Sequence, residues 1–336
     1  MAKCKIYFFT YKRNHLLRRA IQSLVSQSFE DWICEVHNDC PEDAFPAVYL
    51  ESLNDPRFFL KNHEQNLGAT ASFNLAFSGC EEEYVSILED DNWWENDFLK
   101  EMIFIMDNNP LIKIAWSNMY IWNEGANRQW INTRKTIWPV NENQSLFYWP
   151  DIRQAMGALH SNGAMMYRGK FAKNYIIPDS CDFGIMEGVR ERSFKFPIYL
   201  ESKPLANFSQ TQQTNRSEDP LVWTSGQLLL LGSFIQRSGH QKKTFKKTLA
   251  FYRRGEPPPV TNFFLVAVFI LKDLSFMKYF NLNDWFIISK WLLKNSFKLS
   301  RLKKHLESQQ EVYDCLLQHT TRLNNNIAQS DPSHGI

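Results

Sequence analysis

Lys and Arg number 38 against 36 Asp and Glu, a net charge of +2, so the chain lacks the broad positive field that draws nucleic acid. Its six cysteines, at positions 4, 34, 40, 80, 181 and 315, form neither a CxxC pair nor a zinc-ligand spacing. That argues against a disulfide framework and a sulfur-bound metal, and for reduced thiols in the cytoplasm. The longest uninterrupted apolar run, Phe263 to Leu271, falls far short of the roughly 20 residues that cross a bilayer. The opening MAKCKIYFFTYKR holds too short an apolar stretch for a signal peptide. The expected location is therefore cytoplasmic, either soluble or peripheral on the inner face of the membrane. No internal repeat is visible. A composition of 44% hydrophobic residues with 26 Phe and 11 Trp excludes extensive disorder, and 336 residues suffice for one large α/β unit with an appendage.

Apolar periodicity alternates between two periods along the first half. CKIYFF (4–9) reads as a buried strand. His15 to Ser28 then places Leu16, Leu17, Ala20, Ile21, Leu24 and Val25 on one helical face. Strands follow at Trp32–His37, Arg57–Leu60, Tyr84–Leu88 and Ile112–Ser117, with helices at Thr70–Ser78 and Asp97–Asp107. Strands alternating with helices predict a mostly parallel central sheet flanked by helices, a Rossmann-like α/β architecture. The Trp- and Asn-rich stretch 122–156 reads as long loops or a small antiparallel insertion. GAMMYRG (163–169) restores regular pattern, followed by short helices at Lys170–Tyr175 and Phe183–Phe194 and a strand at Pro197–Glu201; 207–220 reads as a loop. Beyond 220 the pattern is helical, over 221–254, 260–277 and 284–306, with GEPPP (255–259) as a breaker and a disordered tail over 324–336.

The strand VSIL ends on Glu89, Asp90 and Asp91. Ligands of an open parallel sheet sit at the carboxyl ends of its strands, so FTYKRN (Thr10 to Asn14), HNDCPED (with Asp39) and EDDN (with Asp90 and Asp91) are expected to share one crevice. Adjacent carboxylates repel unless a cation compensates them, so the acidic turn is either solvated or holds a metal. Hard oxygen ligands select Mg²⁺ or Mn²⁺, commonly bridged to phosphates. Arg13 and the start of the first helix would add positive potential for the same phosphates.

FFTYKRNHLLRRAIQSLVSQSFEDW resembles the opening of the inverting family 2 glycosyltransferases, a strand followed by T-Y-N-R and L-x-x-A-I-x-S-L-x-x-Q-[ST]. HNDCPED is similar to that family's V-D-D-x-S-x-D, NLGATASFNLA to its N-x-G-x-x-x-x-x-N, and LEDDNWWENDFL to its L-D-D-D strand end. Lys12 stands where the family has asparagine, and Asn38 where it has an acid. The resemblance covers residues 4–107 closely and continues more faintly to about 200.

It implies a GT-A fold, a nucleotide-diphosphate sugar donor (UDP- or GDP-linked) and a divalent cation, Mn²⁺ or Mg²⁺. Thr10, Tyr11 and Arg13 would line the nucleotide pocket, Asp39 would accept from the base, and Asn66 and Gly68 would open the donor-side turn. Asp90 would approach the ribose, and Asp91 would hold the metal. PDSCDFGIMEGVRERSFKF resembles the family's E-D-x-D-L-W-L-R-L segment, which puts Asp182 at the position of the catalytic base, with Asp179 and Glu187 as rivals; N-capping of the following helix is a structural alternative for Asp182. Asn162 and Gly163 would floor the acceptor site. The implied organisation is a GT-A catalytic domain over 1–220, with a nucleotide-sugar half (1–118) and an acceptor half (119–220), then a helical C-terminal region over 221–323.

The expected activity is metal-dependent inverting transfer of a sugar to a hydroxyl of a glycan or lipid-linked acceptor, in cell-surface polysaccharide biosynthesis. A non-catalytic nucleotide-sugar or glycan-binding protein that retains the fold is the alternative. A nucleotidyltransferase would need a Gly-rich phosphate loop after the first strand, and FTYKRN has no glycine. Residues 263–304 mix Phe, Trp and Leu with Lys and Arg, a composition for either a peripheral membrane contact or helices packed on the protein or a partner.

Overall fold

The computed structural model describes residues 1–140, 146–211, 220–237, 241–254, 265 and 277–319. The chain forms two compact units. One comprises Met1–Tyr148, His160–Asp179 and Phe194–Asn215, and the other Trp149–Leu159, Ser180–Ser193 and Arg216–Ile336.

The first unit is built on a sheet of ten strands: β1 (Cys4–Thr10), β2 (Trp32–Asn38), β3 (Phe58–Asn62), β4 (Tyr84–Glu89), β5 (Trp93–Trp94), β6 (Ile114–Glu124), β7 (Trp130–Thr136), β8 (Leu146–Phe147), β9 (Met165–Arg168) and β10 (Ile198–Gln210). The order is β3-β2-β1-β4-β9-β6-β10-β5, with β7 on β6 and β8 on β10. The long pairings β1/β2, β1/β4, β2/β3 and β6/β10 are parallel, and the short ones through β5, β7, β8 and β9 are antiparallel. This is the expected α/β architecture. β1 and β4 read as unbroken apolar runs because helices cover both faces of a parallel sheet, and both are buried almost throughout.

α1 (Asn14–Val25) buries Leu16, Leu17, Ala20, Ile21 and Leu24, as its periodicity predicts. α3 (Ala69–Leu75) and α4 (Phe98–Asn108) also fall where expected. α2 (Phe45–Leu53) is a helix that the pattern conceals: only Pro46 is buried, so there is no apolar stripe to detect. Pro46 sits in the first turn, where a missing N–H and a preset φ do no harm.

Within the 122–156 stretch, β6, which runs past Ser117 to Glu124, and β7 form an antiparallel hairpin, and residues 141–145 lie outside the described residues. The expected loop from 207 is corrected, since β10 continues from Ile198 to Gln210 beside β6. Its polar side chains disguise it; Asn207 is buried yet bonded to Trp122 Nε1 and Glu95, so burial costs it little. The expected helix at Lys170–Tyr175 is a 3₁₀ segment, Gly169–Tyr175.

Gly169 shows how closely backbones approach in this unit, for a Cβ built there would overlap the carbonyl oxygen of Glu82. Gly169→Ala is expected to destabilise the protein by about 3 kcal/mol through overpacking. A melting temperature unchanged by that substitution would contradict the packing.

In the second unit the expected Phe183–Phe194 helix is a 3₁₀ turn, Phe183–Ile185, followed by α5 (Met186–Glu191). It stops early because Arg192 N and Ser193 N bond back three residues, tightening the last turn. The 221–254 segment is two helices, α6 (Pro220–Arg237) and α7 (Gln241–Arg254). The 284–306 segment is α8 (Leu282–Asn295) and α9 (Leu299–Ser308), separated by a 3₁₀ turn at Ser296–Lys298. Nearly all of the expected helix 260–277, and the tail 324–336, lie outside the described residues.

Candidate functional site

The register of the three central strands decides where the polar residues go. Thr10 pairs with Asn38 and Phe9 with Glu89, so the carboxyl ends of β1, β2 and β4 lie level. Asp39 N then bonds Thr10 O at 3.1 Å and Asp90 N bonds Phe9 O at 3.2 Å. One ledge therefore carries Thr10, Tyr11, Arg13, Asp39, Asp90 and Asp91.

The three consecutive acids point three ways. Glu89 Oε2 accepts from Asn92 Nδ2 at 2.7 Å, and Asn92 Oδ1 accepts from Ser209 N at 3.0 Å, which ties the turn to β10. Asp90 turns inward: its Oδ2 accepts from Thr10 Oγ1 at 2.9 Å and Tyr11 N at 3.3 Å, and its side chain is only 6% exposed. Asp91 stays nearer the surface at 18% exposure, with its Oδ2 2.6 Å from Arg13 Nη1. The same Arg13 Nη1 is 3.4 Å from Asp90 Oδ1, so one guanidinium spans both carboxylates.

Behind this pair stands Arg19, which the periodicity of α1 gave no reason to single out. Its Nη2 donates to Asp91 O at 2.7 Å and to Ser209 Oγ at 3.1 Å, and its guanidinium lies 3.7 Å from the ring centre of Trp93 and 4.0 Å from that of Trp130. The signal for Arg19 is tertiary, since Ser209 lies in the stretch that reads as a loop and Trp130 in the unpatterned hairpin. Burial pushes the Arg19 guanidinium down to about 10, against the pull of Asp91 and Glu124.

The electrostatics are those of an under-compensated acid pair. Burial, then the charge of Asp91, push the Asp90 carboxyl up to about 7, with Arg13 and the Thr10 hydroxyl opposing. Asp91 is likewise raised by burial, with Arg13 pulling it down. Arg13 remains above its ordinary value although burial works against its charge, because Asp90 and Asp91 flank it.

A pH dependence follows. Asp90 is raised from 3.8 to about 7 in the folded state, so its contribution to stability is full below about pH 4 and is lost as pH rises through about 7. Asp90→Asn stays neutral throughout. In metal-free protein the variant is therefore expected to gain on the parent by ~2–4 kcal/mol between pH 4 and 8, one pKa unit being ~1.4 kcal/mol. Paired thermal melts check it, and a gap that does not change with pH contradicts it.

The second part of the ledge is the turn into α3. Asp39 Oδ1 accepts from Leu67 N at 2.8 Å and Oδ2 from Ser72 Oγ at 3.0 Å. Asn66 Oδ1 accepts from Gly68 N at 2.7 Å, and Gly68 has φ +81°, a left-handed value that suits glycine. Asn38 closes the β2 turn through Asp43 O, Asn62 Oδ1 and Cys40 N, a role its amide fills with both donor and acceptor. Lys12 has φ 56°, a region where asparagine is the more usual occupant.

A pocket of about 190 Å³ opens beside Arg13, lined also by His15, Leu16, Glu124, Gly125, Asn127, Arg128 and Thr211. The β6–β7 hairpin supplies half of that wall, including Arg128, and sequence reasoning missed it because the hairpin carries little periodicity.

Asn162 and Gly163 are buried in the first unit, where Gly163 O accepts from Trp94 Nε1 at 2.7 Å. Asp179, exposed and also in this unit, accepts from Asn74 Nδ2 at 2.7 Å. Asp182 and Glu187 belong to the second unit. Asp182 caps the 3₁₀ turn, its Oδ1 accepting from Gly184 N at 2.9 Å, and among the described residues Oδ2 carries no hydrogen bond. Glu187 is half-buried in the first turn of α5.

The donor chemistry fits a hard divalent cation at Asp91: an oxygen ligand at the crevice edge, next to a second acid that one guanidinium only partly offsets. Among the described residues no group of three or more His, Cys, Asp or Glu could form an all-protein cage. A cation here would take most of its ligands from substrate phosphates and water, as Mg²⁺ commonly does.

Residues 6–174, half of the 336-residue chain, match the sequence family described as Glycosyl transferase family 2. The chain belongs to that family. This family 2 glycosyltransferase is 30% identical over 119 residues to glycosyl transferase WcaA of Escherichia coli (strain K12), a match covering 34% of this chain and 42% of WcaA. It is 25% identical over 114 residues to glycosyltransferase GlyA of Streptococcus pneumoniae serotype 4 (strain ATCC BAA-334 / TIGR4), covering 34% of this chain and 16% of GlyA. The alignments thus span less than half of either relative. Among solved structures, S. aureus TarS 1-349 in complex with UDP-GlcNAc aligns with a TM-score of 0.57 at 13% identity, covering 99% of this chain and 93% of that one. The complex of TarS 1-349 with UDP aligns with a TM-score of 0.56. At that identity the likeness shows the fold, and it agrees with the GT-A-type architecture expected from sequence.

Proposed function

We propose that this family 2 glycosyltransferase moves a sugar from a nucleoside-diphosphate donor to a hydroxyl of a glycan or lipid-linked acceptor, with inversion and with a divalent cation, in cell-surface polysaccharide biosynthesis. The observation that carries the reading is the Asp90–Asp91 pair bridged by Arg13 Nη1 at the level end of β1 and β4, where a diphosphate and its counter-ion meet complementary charge. WcaA is named for colanic acid biosynthesis, and TarS was crystallised with UDP and UDP-GlcNAc; both support the substrate class.

Each residue has a role in this reading. Asp39, with Asn66 and Gly68, forms the base-side turn; Thr10 and Tyr11 line the nucleotide pocket and hold Asp90, the carboxylate assigned to the ribose; Arg13 and the start of α1 favour the diphosphate. Asp91 would hold Mn²⁺ or Mg²⁺, which when bound offsets charge on the departing diphosphate. Asp182 is the base that takes the acceptor hydroxyl proton: its Oδ1 holds the Gly184 cap, while Oδ2 carries no hydrogen bond among the described residues. Asn162 and Gly163 form part of the acceptor floor.

A thermal-shift series of nucleotide sugars with and without Mn²⁺ tests the donor assignment, since a ligand that binds only the folded state raises its melting temperature by mass action. One nucleotide sugar stabilising selectively, and more with Mn²⁺, is the expected result. No shift with any of them contradicts the reading. Stabilisation by a donor with neither transfer nor hydrolysis over a broad acceptor series would make the chain a nucleotide-sugar-binding protein.

A further inference from the structure

α8 carries apolar residues on both sides: Ile288 is buried and Ile287, Trp291 and Leu292 are half-buried on one side, yet a second apolar row is exposed on the other. Its buried residues are Asp284 and Ile288. Leu282, Phe286 and Leu293 are 89%, 66% and 84% exposed. At 3.6 residues per turn these three positions line up along one side, across from Asp284 and Ile288. A soluble helix turns its apolar stripe to the core and its polar side to water. Here a carboxylate is buried, bonded to Arg253 of α7 and to Asn281 N, while Leu282, Phe286 and Leu293 face out. Trp285, 38% exposed, borders the stripe.

One border of the stripe is cationic. Lys290 and Lys294 are exposed on α8 next to it. α7, QKKTFKKTLAFYRR, has six Lys or Arg and no acid, and meets α8 at Asp284 through Arg253, on the side across from the stripe. A row of Leu and Phe bordered by lysines matches the boundary between acyl chains and anionic headgroups. Among the described residues no helix is long and apolar enough to cross a membrane, so the contact is with a surface.

We propose that the exposed side of α8 is a docking surface for an anionic phospholipid membrane, with Leu282, Phe286 and Leu293 entering the acyl boundary and Lys290 and Lys294 at the headgroups. A second copy of the chain fits the face less well: an isologous contact would set the same cations against each other, and three side chains are few beside the 20–30 residues a side of a stable interface, roughly 800 Å² per partner. The inference is independent of the donor chemistry proposed above. Of the 263–304 segment that composition singles out, residues 263, 264 and 266–276 lie outside the described residues, so the surface is assigned from α8 alone.

Flotation of the full chain with vesicles of phosphatidylcholine, alone or mixed with phosphatidylglycerol, tests it. The protein is expected to float with the mixed vesicles and not with phosphatidylcholine alone. Phe286→Ser combined with Leu293→Ser, and separately Lys290→Gln combined with Lys294→Gln, are each expected to weaken binding about tenfold or more. All four positions are exposed, and an unchanged circular dichroism spectrum and melting temperature confirm that the variants fold. Absence of binding to mixed vesicles overturns the proposal, as does binding unaltered by the Phe286 and Leu293 substitutions. A solution mass of two chains that the same substitutions return to one would assign the stripe to a second copy, and would equally overturn it.

Discussion

Asp91→Asn is expected to lower sugar transfer by about 10³-fold or more, the loss typical when a group that offsets transition-state charge is removed. The substitution keeps shape and a hydrogen-bonding oxygen, so a large effect would isolate the charge. In the folded chain that charge is costly: burial already pushes the Asp91 carboxyl up, and Asp90 lies next to it with one bridging guanidinium from Arg13. Removing it relieves repulsion, so the variant is expected to melt at the same temperature as the parent or higher. A loss of activity with undiminished stability is the signature of a group held for function. Initial rates with the donor found by thermal shift, with and without Mn²⁺, check the first half, and melts check the second. Turnover near that of the parent with metal present would sink the assignment.

Asp182→Asn is expected to reduce kcat by about 10²–10⁴-fold, the range for loss of a general base, while donor affinity stays within about twofold. Asparagine caps a helix start as well as aspartate does, so the Gly184 N bond to position 182 survives and the fold is retained. Only proton acceptance at Oδ2 is lost. Asp179→Asn is the control: Asp179 already accepts from Asn74 Nδ2, a part-buried bond that an amide oxygen can keep, so kcat should stay nearly unchanged. A large kcat defect in the Asp179 variant with a normal Asp182 variant would transfer the role, and a defect confined to KM in both would remove it from either.

How much of this was legible in the sequence depended on whether a residue's signal was local. The sheet core was legible because β1 and β4 are buried on both faces and spell apolar runs. The acidic turn was legible because adjacent carboxylates after such a run repel unless water or a cation compensates them. The hairpin of β6 and β7 was not, since Trp130–Thr136 has no buried residue and its half-buried positions recur every third residue instead of every second. β10 past Glu201 was hidden for the opposite reason: its buried polar residues, Asn207 and Ser209, are satisfied by partners distant in sequence, Trp122 and Asn92. Arg19 illustrates the limit. On α1 it is one cation among several, and only the fold brings it to the carbonyl of Asp91 and between Trp93 and Trp130. The roles of Glu89, Asp90 and Asp91 could not be separated by sequence either, because side-chain direction within a turn is set by the strands on each side.

The central claim is that Asp91 gives up its bond to Arg13 to bind a cation carrying the donor diphosphate. Anomalous diffraction at the manganese edge, from crystals soaked with Mn²⁺ and uridine or guanosine diphosphate, reads this directly. The account predicts a peak within about 2.0–2.6 Å of an Asp91 carboxylate oxygen, with Arg13 Nη1 displaced toward the phosphates. A manganese peak elsewhere, with Asp91 still paired to Arg13, would contradict it.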